Sequence, residues 1–109
     1  MRYWRPVLGL RDWTVKATLS RHYDLSESDR EGECEVNEEH RFVRIWLLHP
    51  TDYAPDAIFE QDHERTLVHE LLHVHYEAVK PDEDDARGLV AIEQSINAIA
   101  EGLVKLRRE

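Results

Sequence analysis

Cysteine, glycine and proline are scarce: one, four and four residues in a chain of 109. Cys34 has no second thiol to pair with, so no internal disulfide is expected. It reads as a half-buried strand residue rather than a nucleophile. No run of about 18 apolar residues occurs, which excludes a membrane-spanning helix. The opening stretch Met1–Pro6 lacks the apolar core of a signal peptide, so a cytoplasmic or intracellular location is expected. Cations are outnumbered, 14 Lys and Arg against 23 Asp and Glu, for a formal net charge of -9. Such a surface repels phosphate backbones, and no nucleic-acid partner is expected. No internal repeat or low-complexity tract is present, and no histidine follows His75.

What is there suits one domain spanning residues 1–109, with 41% hydrophobic and 34% charged residues. Residues 1–11 fit either a short helix or an irregular arm. Trp13, Val15, Ala17 and Leu19 alternate with polar residues, which is the period of a half-buried strand. After a polar loop over residues 21–32, Cys34 and Val36 alternate with Glu33, Glu35 and Asn37 to give a second strand. Asn37–His40 makes a turn, and the nearly continuous apolar run Phe42–Leu48 is a third strand. Pro50 and Pro55 then break the pattern. A helix is predicted over roughly residues 62–79, stopping before Pro81. The acidic stretch Asp82–Asp85 reads as a solvated linker. A second helix is predicted over about residues 85–107, with Asp84 or Asp85 as its cap and Lys105, Arg107 and Arg108 at its C-terminal end. The fold class is therefore α+β: a small three-stranded, largely antiparallel sheet followed by two helices packed on one of its faces.

Chemistry concentrates on the first long helix. His69-Glu70-Leu71-Leu72-His73 matches H-E-x-x-H. On a helix, residues i and i+4 stack on one face, about 5–6 Å apart between Cβ atoms. His69 and His73 can then share one Zn²⁺ at about 2.0–2.1 Å each. Glu70 lies about 100° around the helix from His69, where it can flank the metal and take a proton from an activated water. Leu67, Leu71, Val74 and Ala78 on one arc, with Val68, Leu72 and Val79 beside them, leave the two histidines outside the main core, facing a groove.

Catalytic zinc commonly has three protein ligands and one open position. With Val79 where an extended H-E-x-x-H-x-x-G-x-x-H pattern puts its last histidine, a downstream third ligand must be a carboxylate. The second helix carries an apolar stripe of Leu89, Ile92, Ile96, Ile99, Ala100 and Leu103, and Glu93 falls within it. A carboxylate on a buried face needs a partner: a metal, or an arginine or lysine if it sits at the stripe's edge. Glu77 and the linker acids are weaker candidates.

His69, Glu70 and His73, followed after a spacer by Glu93 on a second helix, resemble the gluzincins, and the short sheet-then-two-helices order resembles their minimal members, the minigluzincins. The resemblance implies one zinc per chain held by His69, His73 and Glu93, with Glu70 as general base in a peptidase acting on a peptide or protein substrate. An aspartate often lies four residues after the glutamate ligand in that family and hydrogen-bonds a ligand histidine; Asn97 stands there in this chain. The resemblance also implies an edge strand that pairs with extended substrate, for which Phe42–Leu48 is the candidate. The oxyanion-stabilising residue stays open among Tyr53, Tyr76, His49 and His75. His22, His40 and His63 read as surface residues, and Trp4, Trp13, Trp46 and Phe59 as core. The C-terminal Leu106–Glu109 could fold over the cleft. A second reading, from a different class, is a zinc-stabilised binding or regulatory protein that cuts nothing.

Overall fold

The computed structural model describes residues 2–27 and 30–109; Ser28 and Asp29, within the expected polar loop, lie outside the described residues. The elements are a short helix α1 (Trp4–Val7), strands β1 (Thr14–Ser20), β2 (Gly32–Asn37) and β3 (Phe42–Leu48), and helices α2 (His63–Tyr76) and α3 (Ala86–Arg108). The α+β class and the element order follow the expectation. The sheet does not: it is mixed, in the order β1-β3-β2, with β1 parallel and β2 antiparallel to β3. The physical reason is the apolar character of β3. Placed centrally, it has a neighbour on each edge, and Val43 and Ile45 are fully buried beneath the helices. The segment between β1 and β2 therefore passes from one edge of the sheet to the other, with β3 between them.

The Asn37–His40 turn forms as expected: the Asn37 side chain accepts from the His40 N–H at 3.0 Å. Arg41 takes a positive φ of 50° at its end, entering β3. On the outer face of the sheet the Arg44 guanidinium sits 5.7 Å from the Phe42 ring and 6.0 Å from the Trp46 ring. Trp46 is thus on the face away from the helices and only half-buried. β1 is an edge strand whose Ala17 and Leu19 remain exposed.

Helix α2 packs on β2 and β3, and α3 packs on α2, so the layers run sheet, α2, α3. Leu71, Leu72, Val68 and Val74 are buried on α2, and Ile96, Ala100 and Val104 on α3. Trp4 and Leu10 of the N-terminal arm complete the core. Asp62 caps α2 by accepting from the Arg65 N–H at 3.1 Å, and Asp85 caps α3 by accepting from the Gly88 N–H at 2.9 Å. The α-helical geometry of α2 ends at Tyr76, and a single 3-10 turn, Glu77–Val79, carries the chain to Pro81. That change of pitch leaves Ala78 and Val79 exposed rather than on the core arc. No helix among the described residues is long and apolar enough to cross a membrane.

The two chain ends meet at the start of α2. The Trp4 indole N–H donates to Glu64 at 2.9 Å. Arg107 pairs with Glu64 and stacks 3.9 Å from the Tyr3 ring centroid. Arg108 donates to both carboxylate oxygens of Asp62, at 2.8 and 2.9 Å. Leu106–Arg108 are thus helical and clamped, not folded over a cleft. The Arg108 guanidinium holds the Asp62 carboxyl down at about 2. A carboxyl lowered in the folded state stabilises above its unfolded pKa of about 4 and loses that contribution as pH falls toward 2. Arg108→Gln is therefore expected to lower stability at pH 7, modestly because the pair is solvent-screened, and to approach the parent as pH falls through about 2. Chemical denaturation at the two pH values checks this.

Gly32 sets how close α2 lies to the sheet. A Cβ there would stand 2.7 Å from Thr66 Cγ2 and 3.2 Å from the Trp46 carbonyl oxygen. Gly32→Ala is expected to destabilise by roughly 1–3 kcal/mol, with Thr66→Ser in the same chain recovering part of the loss, as read by denaturant unfolding.

Candidate metal centre

Two turns of α2 and one of α3 supply the site. His69 and His73 stack at i and i+4, their rings 5.0 Å apart between centroids and their Nε2 atoms 3.3 Å apart. Glu93 reaches across from α3: Oε2 lies 3.2 Å from His69 Nε2, and Oε1 lies 3.0 Å from His73 Nε2. Each of these three residues offers one ligand atom within 4.8 Å of the others, a group that could hold a metal ion. Donors at the corners of a tetrahedron with bonds of about 2.0–2.1 Å are separated by about 3.3–3.4 Å. The imidazole pair matches that spacing, while Glu93 meets the two histidines with different oxygens, one to each. Two imidazoles and one carboxylate are also a donor set that suits Zn²⁺.

Glu93 does not occupy a buried face. Its side chain is 49% exposed, against 18% for His69 and 27% for His73. The buried line of α3 runs through Ile96, Ala100 and Val104, while Leu89 and Ile92 are only half-buried and Ile99 is exposed. Glu93 sits at the stripe's edge where α3 borders the cleft, so the helix crossing brings it to the histidines, not the cost of burying it.

Glu70 is 6% exposed and stands beside the site without joining the ligand group. Burial pushes its carboxyl upward, and the neighbouring His73 and His69 oppose that. Cys34 of β2 lies against it, and burial together with the Glu70 charge keeps the thiol protonated. Asn97 lines the same cleft, one turn of α3 beyond Glu93, but the two imidazoles bond each other and contact Glu93 rather than Asn97.

The triad lies in a cleft of about 1070 Å³ with β2 along one side and the two helices along the other. Three expectations change here. β3 is the central strand with both edges paired, so it cannot accept another strand; β2, paired only with β3 among the described residues, is the edge strand that lines the cleft. Phe59 is not core: it is 67% exposed and lines the cleft mouth, because its loop precedes α2 without packing beneath it. His63 is half-buried and donates from Nε2 to the Leu48 carbonyl at 2.9 Å, since it opens α2 against the end of β3. Of the four oxyanion candidates, only Tyr76 faces the cleft, its hydroxyl 3.0 Å from that of Ser95. His75 bonds the Leu8 carbonyl, His49 accepts from the Thr51 N–H, and Tyr53 donates to the Phe59 carbonyl.

The edge strand and Phe59 were missed in the sequence. The strand had a signal: charges alternating through Glu33-Cys34-Glu35 mark an edge, whereas the unbroken apolar run Phe42–Leu48 marks a centre. Phe59 had none, since a lone aromatic in a loop reads equally as core or surface.

No family model matches the chain, and neither a curated protein nor a solved structure matches it.

Elemental analysis after dialysis against zinc is expected to find about one metal per chain in the parent and a sharp loss in Glu93→Ala. Asn97→Ala should retain the metal, because outer partners tune affinity by about 10–100-fold at most rather than supplying a bond.

Proposed function

We propose that this chain is a zinc-dependent peptidase of the gluzincin kind, hydrolysing peptide bonds with Glu70 as general base. The observation that carries the reading is the convergence of His69, His73 and Glu93, whose ligand atoms lie within 4.8 Å of one another, with the buried carboxylate of Glu70 beside them but outside the ligand group. Zinc held by these three residues supplies Lewis acidity and lowers the pKa of a water to about 7.

The remaining work falls to the chain's own groups. Glu70 is fixed by burial on α2, so its carboxylate is held in one orientation toward the cleft, where it accepts a proton from the attacking water and passes it to the leaving amine. The unpaired edge of β2 offers backbone N–H and C=O groups to an extended polypeptide, which aligns a scissile bond along the cleft. Tyr76 lines the same space, with its hydroxyl 3.0 Å from that of Ser95, and is the one of the four oxyanion candidates on the cleft.

Glu70→Gln is expected to retain the metal and lose roughly 10²–10⁴-fold in peptide hydrolysis. A zinc-loaded fluorogenic peptide library, with metal content measured on the same samples, checks both parts. Full activity in the variant would rule the reading out. Zinc that raises the melting temperature of a parent cleaving no library member would identify a zinc-stabilised binding protein instead.

A further inference from the structure

The cleft carries more charge than its metal centre uses. Seven glutamates line it, and two of these, Glu70 and Glu93, belong to the centre. Glu27 is paired with Arg30 at 3.4 Å. The remaining four, Glu31, Glu35, Glu77 and Glu101, form no ion pair among the described residues. Only two further cations, Arg65 and Lys80, share the lining with them.

These carboxylates are not gathered at one point. Glu31 and Glu35 belong to the strand side, one just before β2 and one within it. Glu77 follows the end of α2, and Glu101 lies two turns of α3 beyond Glu93, roughly 12 Å along the helix axis. Glu77 and Glu101 therefore stand on the helix wall to either side of the metal centre, whereas Glu35, out of phase with the inward Cys34 and opposite Arg44 in the register, projects from the outer face of the sheet beside the free edge of β2. A strand docked on the free edge of β2 would set alternate side chains beside the strand-side acids, where opposite charges across a pair are favourable and like charges are not. The net charge of -9 gives the long-range field the same sign.

We propose that the cleft selects an extended polypeptide segment rich in lysine and arginine, its cationic side chains meeting Glu31 and Glu35 on the strand side and Glu77 and Glu101 on the helix side. This specificity rests on reading the cleft as the polypeptide-binding site of the peptidase. Charge complementarity of this kind excludes acidic segments more strongly than it tightens basic ones, and it weakens with salt.

The test is binding, measured apart from hydrolysis. Fluorescence anisotropy on the zinc-loaded Glu70→Gln protein would compare three labelled peptides of equal length: alternating Ala-Lys, Ala-Gln and Ala-Glu. The Ala-Lys peptide is expected to bind roughly ten-fold or more tightly than Ala-Gln at low salt, and to lose most of that margin in about 0.5 M salt. Adding Glu35→Gln, Glu77→Gln and Glu101→Gln together should remove the preference. A control neutralising Asp82, Glu83 and Asp84, which lie in the exposed linker away from the cleft, should preserve it. Equal binding of the three peptides, no binding of any, or loss of preference in the linker control as large as in the cleft variant would overturn the proposal. Assaying the zinc-loaded parent for cleavage of the same peptides separates the two readings. Selective binding without cleavage removes the peptidase and keeps the charge selection, whereas cleavage without charge preference does the reverse.

Discussion

Helix α2 is enclosed by the sheet on one side and α3 on the other, and the rest of the molecule is arranged around that packing. The sides so covered carry Val68, Leu71, Leu72 and Val74, and the polar residues of α2 fall where neither layer covers it or at its edges. His69 and His73 occupy the narrow arc that opens between β2 and α3. Their partial burial follows directly: they are neither core nor free surface, but line the seam where two layers diverge. Gly32 makes the seam possible, because only a residue without a Cβ lets β2 come so close to Thr66.

Two concentrations of charge flank this helix and behave differently. At its N-terminal end, Asp62 and Glu64 are met by Arg107 and Arg108, so the acids there are neutralised and fasten both chain ends to the start of α2. Along the cleft, Glu31, Glu35, Glu77 and Glu101 have no such partners among the described residues. The same residue type is structural where arginine reaches it and available to a ligand where arginine does not.

The helical part of the site was legible because helix geometry is local. The i and i+4 spacing of His69 and His73 fixes their juxtaposition wherever the helix goes, and Asp85 announces the start of α3 by its own side-chain bond. Glu93 was identified by an argument that the structure revises. It was singled out as a carboxylate in an apolar stripe, yet it is half-exposed at that stripe's edge. The sheet was less legible. Strand boundaries followed from alternation and β3 was placed residue for residue, but pairing order depends on contacts between segments far apart in sequence. Short connections suggested neighbours in chain order, whereas burying the most apolar strand put β3 between the other two.

By itself, the sequence determined the α+β class, the two long helices, a cap for the second of them at Asp84 or Asp85, and the pairing of two imidazoles on one helical face, because each depends on residues close together in the chain. Only the tertiary structure decided that β1 runs parallel to β3, that β2 rather than β3 is the strand edge lining the cleft, that Arg107 and Arg108 close on the start of α2, and that Glu93 comes within 3.2 Å of His69 from a helix more than twenty residues away. Those are distances set by how layers stack, and stacking is fixed by the summed burial of the whole core rather than by any local run of residues.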